Sequence, residues 1–104
     1  MNLPLAAGAR DVDVLDAWEV TAMPVLEDFK PQVLLISAGY DAHERDPLGG
    51  LRMTSDGFRH LSGLLADAGR QLCDGRIAVV TEGGYDLESL REGVEATIEA
   101  CASG

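Results

Sequence analysis

The chain has 104 residues, with 18 acidic and 8 basic side chains and a net charge of −10, which is long enough for one domain with a buried core. The excess of acid argues against nucleic-acid binding, because affinity for phosphates depends on Lys and Arg. No apolar run approaches the roughly 20 residues that span a bilayer, and no basic segment followed by an apolar one opens the chain. We therefore expect no membrane insertion and a cytoplasmic location.

The first part of the chain predicts a strand, a helix and a second strand. Residues 2–5 are predicted as a short strand, and a helix is predicted from Asp11 or Asp13, because acidic side chains favour the first helical turn. Pro24 should bend or split this helix, since it lacks a backbone N–H. Residues 33–36 are apolar throughout, which predicts a strand covered on both faces of a parallel sheet. Apolar residues at helical spacing predict this buried face for the helix: Leu15, Trp18, Ala22, Val25, Leu26 and Phe29.

The second part predicts a helix, a strand and a last helix. Thr54 is a predicted N-cap, residues 77–81 form a predicted strand, and Asp86 opens the last helix. The buried face of the first of these helices is predicted as Phe58, Leu61, Leu65, Ala68 and Leu72. The buried face of the last helix is predicted as Leu87, Leu90, Val94, Ile98 and Cys101. Acidic residues repeat along another face of the last helix, which predicts a solvated surface: Glu88, Glu92, Glu95 and Glu99.

Helices that alternate with strands predict a parallel sheet with right-handed crossovers. In a sheet of only three strands, most strands lack a hydrogen-bonding neighbour on one side. The chain is therefore expected to be a piece of a larger α/β domain, and its open sheet edges could lead to self-association. The two cysteines, Cys73 and Cys101, have no metal-site spacing and are expected to be reduced, partly buried thiols.

Polar motifs follow two of the predicted strands. Asp41 comes shortly after residues 33–36, and Tyr85 comes after residues 77–81. Ligands of open α/β sheets bind outside the carboxyl ends of the strands, so these two side chains are expected at one edge of the sheet. Asp46 precedes Pro-Leu-Gly-Gly, a sequence that favours a turn. In such a turn the Asp46 carboxylate can accept hydrogen bonds from backbone N–H groups.

Each candidate residue also has a structural interpretation. Asp41 on its own is compatible with a turn or cap residue, and Tyr85 with a packing residue. Asp41 and His43 have the spacing of an Asp-x-His metal pair, but we expect His43 to be a surface loop residue and His60 a solvated helix residue. Residues 83–84 are glycines that permit close approach to a ligand; a phosphate-binding loop is the weaker alternative, because acidic residues flank them.

The segments S-A-G-Y-D-A-H-x-x-D-P-L-G-G, at residues 37–50, and E-G-G-Y-D-L, at residues 82–87, resemble the C-terminal part of the zinc-dependent histone deacetylase and acetylpolyamine amidohydrolase family. The resemblance implies that residues 1–104 are the C-terminal portion of an arginase/deacetylase-like domain. Such a domain has three layers, α/β/α, around a parallel sheet. It also implies that Asp41 is a zinc ligand and Tyr85 the catalytic tyrosine. Leu48 and the glycines Gly83 and Gly84 would line the substrate channel.

The family's paired histidines and its Asp-x-His zinc ligands have no counterpart in this chain. We therefore expect a fragment of a hydrolase that removes acetyl or other acyl groups from lysine or polyamines and that is inactive alone. Zinc would need its remaining ligands from elsewhere in the domain. The alternative is a non-catalytic, acidic α/β interaction module or one half of a split protein. The negative charge agrees with a cationic substrate and also with a role in solubility alone.

Overall fold

The structure is a computed structural model in which residues 1–103 are described. Its helices are α1 (Asp11–Asp16), α2 (Met23–Phe29), α3 (Ser55–Cys73) and α4 (Leu87–Ala102), with a π-helical turn at Ala17–Ala22 and a 3-10 turn at Tyr40–Ala42. The strands β1 (Leu34–Ala38) and β2 (Ile77–Thr81) pair in parallel. Leu34 lies opposite Ile77, and Ala38 opposite Thr81. The predicted α/β class and the parallel pairing are confirmed.

The strand predicted at residues 2–5 is wrong, because this segment pairs with neither β1 nor β2, the two sheet strands within residues 1–103. The residues that follow it are instead fastened to the long loop before α3. Gly8 N donates to Gly50 O at 2.6 Å, and Arg52 N donates to Ala9 O at 2.7 Å. A strand of a sheet needs a neighbouring strand to exchange its backbone hydrogen bonds, and neither sheet strand within residues 1–103 lies beside residues 2–5.

The first helix is interrupted just before Pro24, as predicted. The missing N–H of Pro24 breaks the regular α-helical hydrogen bonding, and the π-helical turn over Ala17–Ala22 adds a residue to that turn. One extra residue rotates the side chains of α2 by about 100° about the helix axis relative to those of α1, since an α-helix has 3.6 residues per turn. The predicted burial of Val25 and Phe29 is accordingly wrong: they are 46% and 75% exposed.

One face of the sheet is covered and the other is open. On the covered face, Leu34 is buried in a cluster with Ala68 and Cys73 of α3, and the N-terminal helices pack against the same cluster. On the other face, Leu35 is 71% exposed and Val80 is 57% exposed. Side chains alternate between the faces of a strand, so β1 carries one buried and one exposed row. Within the described residues the second face lacks the cover that the apolar run predicts, which agrees with the expectation that the chain is a piece of a larger α/β domain.

The caps of the last two helices follow the prediction. The Thr54 side chain accepts from Gly57 N, and the Asp86 side chain accepts from Ser89 N, each at 3.0 Å. In α3, the predicted burial of Phe58 is confirmed. No helix within residues 1–103 combines the length and the apolar character that crossing a bilayer requires.

The fully buried residues of α4 are small, whereas the predicted core residues Leu90 and Val94 are partly buried and pack against the cluster of Tyr40, Met53 and Phe58. Ser89, Gly93 and Ala96 are buried, whereas the predicted core residues Leu87 and Ile98 are 82% and 61% exposed. Gly93 lets the Tyr40 ring approach the helix, since a Cβ at residue 93 would lie 2.5 Å from the ring Cδ1. Helical periodicity cannot distinguish such a close-packed small face from an apolar one.

The two cysteines differ in their environment. Both are free thiols, as predicted. Cys73 is fully buried in the core, whereas Cys101, at the end of α4, is exposed, so the predicted partial burial of Cys101 is wrong.

Candidate active site at the strand tips

The two parallel strands end in loops that contact each other. Beyond the end of β1, Tyr40 N donates to Gly83 O at 2.8 Å. Asp41 lies in the 3-10 turn after β1, and Tyr85 lies in the loop after β2. The structure therefore brings the loops that carry these two predicted site residues to the same edge of the sheet.

The Asp41 side chain is half-buried between two glycines. A Cβ at Gly83 would lie 2.6 Å from Asp41 Oδ2, and a Cβ at Gly39 would lie 2.8 Å from Asp41 Oδ1. Both distances are too short for any residue with a side chain unless the carboxylate moves. The glycines therefore make the room that the Asp41 carboxylate occupies at the strand tip.

Asp46 joins the two loops. Its Oδ1 accepts from Leu48 N and Gly49 N, and its Oδ2 accepts from Tyr85 N, each at 2.8 Å. The predicted structural role of Asp46 in the Pro-Leu-Gly-Gly turn is confirmed. The same carboxylate also binds the tyrosine loop, a contact that local sequence does not predict because Tyr85 lies 39 residues away.

The side chains of Leu48 and Tyr85 are 72% and 54% exposed, and their backbone N–H groups bind the same Asp46 carboxylate. Gly84 precedes Tyr85 with φ +147°, a value that side chains rarely adopt, and a Cβ there would lie 2.9 Å from Leu90 Cδ1. Glycine at residue 84 thus allows the turn that presents the tyrosine. The catalytic and channel roles of these residues stay predictions.

His43 is buried, and its predicted surface position is wrong. It is 3% exposed, its Nε2 lies 3.0 Å from Ser55 Oγ, and its Nδ1 accepts from Arg45 N at 3.1 Å. Ser55 also donates to Glu92. Glu92 was predicted on a solvated face, but its carboxylate accepts from the Arg45 guanidinium at 2.9 Å as well. His60 is exposed, as predicted.

Three carboxyl groups around the site have lowered pKa values. Burial works to raise the pKa of Asp46, but the three backbone hydrogen bonds described above outweigh it and lower the pKa below 3.8. Hydrogen bonds from Ser89 lower the pKa of Asp86, and the hydrogen bond from Ser55 lowers the pKa of Glu92. These carboxyl groups are therefore ionised at neutral pH, and the Arg45 guanidinium, which contacts Asp86 and Glu92, offsets part of their negative charge.

The described residues supply part of a metal site at most. Asp41 is a carboxylate at the strand tip, of the kind that binds zinc through oxygen. A catalytic zinc site normally takes three protein ligands, and within residues 1–103 no group of three or more His, Cys, Asp or Glu side chains is placed to hold a metal ion. Asp41 thus fits the role of one ligand, and this segment alone does not form a complete zinc site.

The chain belongs to the histone deacetylase family: the family model described as "Histone deacetylase domain" matches residues 1–101. The resemblance drawn from the two motifs is thereby confirmed. The match runs through both strands and both loops of the candidate site, so the site lies inside the family's domain.

Named relatives agree with this assignment. The chain is 42% identical over 100 residues to "Histone deacetylase 10, chloroplastic" of Oryza sativa subsp. japonica, and the matched segment covers 96% of this chain and 23% of that protein. It is 36% identical over 85 residues to "Histone deacetylase-like amidohydrolase" of Pseudomonas aeruginosa, and the matched segment covers 82% of this chain and 22% of that protein. The chain thus spans about a quarter of the length of the curated relatives it matches.

Solved structures show the same fold. The crystal structure of the HDA15 HD domain superposes with a TM-score of 0.81 at 32% identity, over 92% of this chain and 26% of that chain. The structure of the histone deacetylase Clr3 gives a TM-score of 0.82 at 29% identity, over 92% of this chain and 16% of that chain. The two paired strands and their helices are a partial arginase/deacetylase fold, as the sequence predicted.

Proposed function

We propose that this chain forms the C-terminal part of a zinc-dependent deacetylase-like domain that hydrolyses acyl amides of lysine or polyamines. The observation that supports the proposal most strongly is the joining of the two strand tips. Asp46 binds the backbone of both Leu48 and Tyr85, and the Asp41 carboxylate packs against Gly83. These contacts bring the segments that carry a carboxylate, a phenol and an apolar side chain to one edge of the sheet, where α/β enzymes bind substrates.

In this proposal each residue has one task. Zinc, when bound, would polarise the amide carbonyl and activate water. Asp41 would supply one of its ligands. The Tyr85 hydroxyl would donate a hydrogen bond to the carbonyl oxygen as that oxygen gains negative charge, a contact whose loss typically costs about 10²- to 10³-fold in rate. The exposed Leu48 side chain, whose backbone N–H binds the same Asp46 carboxylate as that of Tyr85, would line the path of the acyl chain. The histidines for proton transfer would come from outside residues 1–103.

The charge of the chain supports a cationic substrate. The net charge is −10, and the lowered pKa values of Asp46, Asp86 and Glu92 keep negative charge near the strand tips. A field of one sign attracts ligands of the opposite sign and raises their association rate. Acetylated polyamines and acetyl-lysine in a basic peptide both carry positive charge close to the acetylated group.

The proposal is tested by placing residues 1–103 in a complete domain. In the amidohydrolase of Pseudomonas aeruginosa, the matched segment is replaced by this chain, and hydrolysis of an acetyl-lysine peptide is measured. We expect activity that falls about 10²-fold or more in Tyr85→Phe, with zinc content and melting temperature unchanged. A folded, zinc-loaded chimera whose activity is the same with Phe at residue 85 would contradict the role of Tyr85.

A second candidate function is supported by the open face of the sheet. Leu35 of β1 and Val80 of β2 expose apolar surface on the same face of the sheet, two register positions apart, and exposed apolar patches often mark interaction surfaces. An acidic α/β interaction module, or one half of a split protein, would use this face and would not depend on Tyr85. Binding of a partner that Leu35→Lys abolishes and Tyr85→Phe leaves intact would favour this function over catalysis.

A further inference from the structure

The buried histidine lies at the centre of a closed set of hydrogen bonds. His43 contacts Ser55 and the backbone of Arg45, Ser55 contacts Glu92, and Glu92 contacts the side chain of Arg45. We term these four residues the His43 network. It joins the turn after β1 to the first residue of α3 and to the second turn of α4, which are 12 and 49 residues away in the chain.

The contacts fix the direction of each hydrogen bond. His43 Nδ1 accepts from Arg45 N, so in a neutral imidazole the proton is on Nε2. His43 Nε2 then donates to Ser55 Oγ, and the Ser55 hydroxyl donates to the Glu92 carboxylate. The ring also stacks on Phe58, with centroids 6.2 Å apart and planes 8° from parallel. In the neutral form of His43, these contacts are all satisfied by one tautomer, in one orientation of the ring.

This arrangement is not a catalytic triad, although it contains a serine, a histidine and a carboxylate. In a triad the histidine takes the serine proton and the carboxylate orients the histidine. Here the carboxylate of Glu92 takes the Ser55 proton, and Ser55 accepts from His43. The serine is thus not activated, and the network is suited to holding segments in place.

The network reaches both loops of the candidate site. His43 is two residues after Asp41, and its carbonyl accepts from Asp46 N at 3.0 Å. Asp46 in turn binds Tyr85 N. Arg45 lies 3.8 Å from Asp86, the residue after the tyrosine. A shift of the histidine would therefore be passed to both strand tips.

We propose that His43 is a positioning residue: through its network it holds the turn of Asp41 and the loop of Tyr85 against α3 and α4. The inference rests on the proposed function only for the identity of the residues that are positioned. The network itself is a property of the folded chain and is tested separately.

The first test is the tautomer of His43 in the 104-residue chain, measured by ¹⁵N NMR of the imidazole nitrogens. We expect the proton on Nε2. A proton on Nδ1, or rapid exchange between the two tautomers, would overturn the network, whatever activity the protein has.

The second test uses two variants, each of which keeps one of the two hydrogen bonds that the His43 ring makes. Asn in His43→Asn can accept from Arg45 N but does not reach Ser55, whereas Gln in His43→Gln can donate to Ser55. Amide hydrogen exchange at Tyr85 is compared with exchange at Ala66 in α3, which corrects for global stability. We expect roughly 5- to 10-fold faster relative exchange in His43→Asn and in Ser55→Ala, and near wild-type exchange in His43→Gln. The matched controls are His60→Asn and His60→Gln, because His60 is exposed on α3.

The chimera described above adds a catalytic measurement. We expect kcat to fall about 10- to 100-fold in His43→Asn with little change in KM, and we expect His43→Gln to restore most of it. Equal effects of the Asn and Gln variants on kcat and on exchange at Tyr85 would overturn the positioning role. A wild-type chimera without deacetylase activity would count against the proposed function, and the exchange data would then decide the positioning role alone.

Discussion

Replacing Gly83 by alanine tests how closely the two strand tips must approach each other. The new Cβ would lie 2.6 Å from Asp41 Oδ2 and 2.7 Å from Asp41 Cγ, whereas ordinary contact begins at 3.4 Å. The φ angle of Gly83 lies outside the region that favours glycine, so alanine fits the backbone and the side chain of Asp41 must give way. The carboxylate has to withdraw by about 0.8 Å.

A displacement of this size has different effects on rate and on stability. A misplacement of about 1 Å at a reacting group can cost about 10²-fold in rate, whereas crowding of this kind costs roughly 1–3 kcal/mol of stability. In the chimera we therefore expect Gly83→Ala to lower kcat/KM by about 10²-fold and to weaken zinc binding, while the protein stays folded. The matched control is Gly50→Ala, because no atom lies within 4 Å of a Cβ at residue 50. Wild-type activity and zinc affinity in Gly83→Ala would refute the argument.

Other consequences concern stability and association. Tyr40→Phe removes a buried hydroxyl that lies 2.7 Å from Thr97 Oγ1, so the free energy of unfolding in urea should fall by about 1 kcal/mol, and an unchanged value would show that the contact contributes nothing. Folding lowers the pKa of Asp46 below 3.8, so its contribution to stability is complete above pH 3.8 and is lost as the pH falls through the folded pKa. Thermal melts on acidification should show a loss that Asp46→Asn lacks, and parallel curves for the two proteins would contradict this. The isolated chain should self-associate through the exposed apolar face of its sheet, and Leu35→Lys with Val80→Lys should make it monomeric in sedimentation experiments. A wild-type chain that is already monomeric would contradict the prediction.

The sequence predicted those parts of the site that depend on local order and on strand direction. Asp46 was predicted as a turn residue because the residues after it require a turn. The approach of the two loops was predicted because parallel strands place their carboxyl ends at one edge. The predicted surface position of His43 is wrong because the residue lies in a loop by sequence, whereas its burial comes from contacts with α3 and α4 that lie far away in the chain. The exposure of Phe29 was likewise missed, because the π-helical turn changes the face of the helix without a distinct sequence pattern.

A zinc titration followed by calorimetry tests the central claim most directly. Within residues 1–103 the structure offers Asp41 without a cluster of further ligands, so the isolated chain should bind zinc weakly or not at all. The chimera with the complete domain should bind one equivalent tightly, and Asp41→Ala should abolish that binding while the protein stays folded. Tight binding by the isolated chain, or tight binding by the Asp41→Ala chimera, would contradict the proposal that Asp41 is one ligand of a site shared with the rest of the domain.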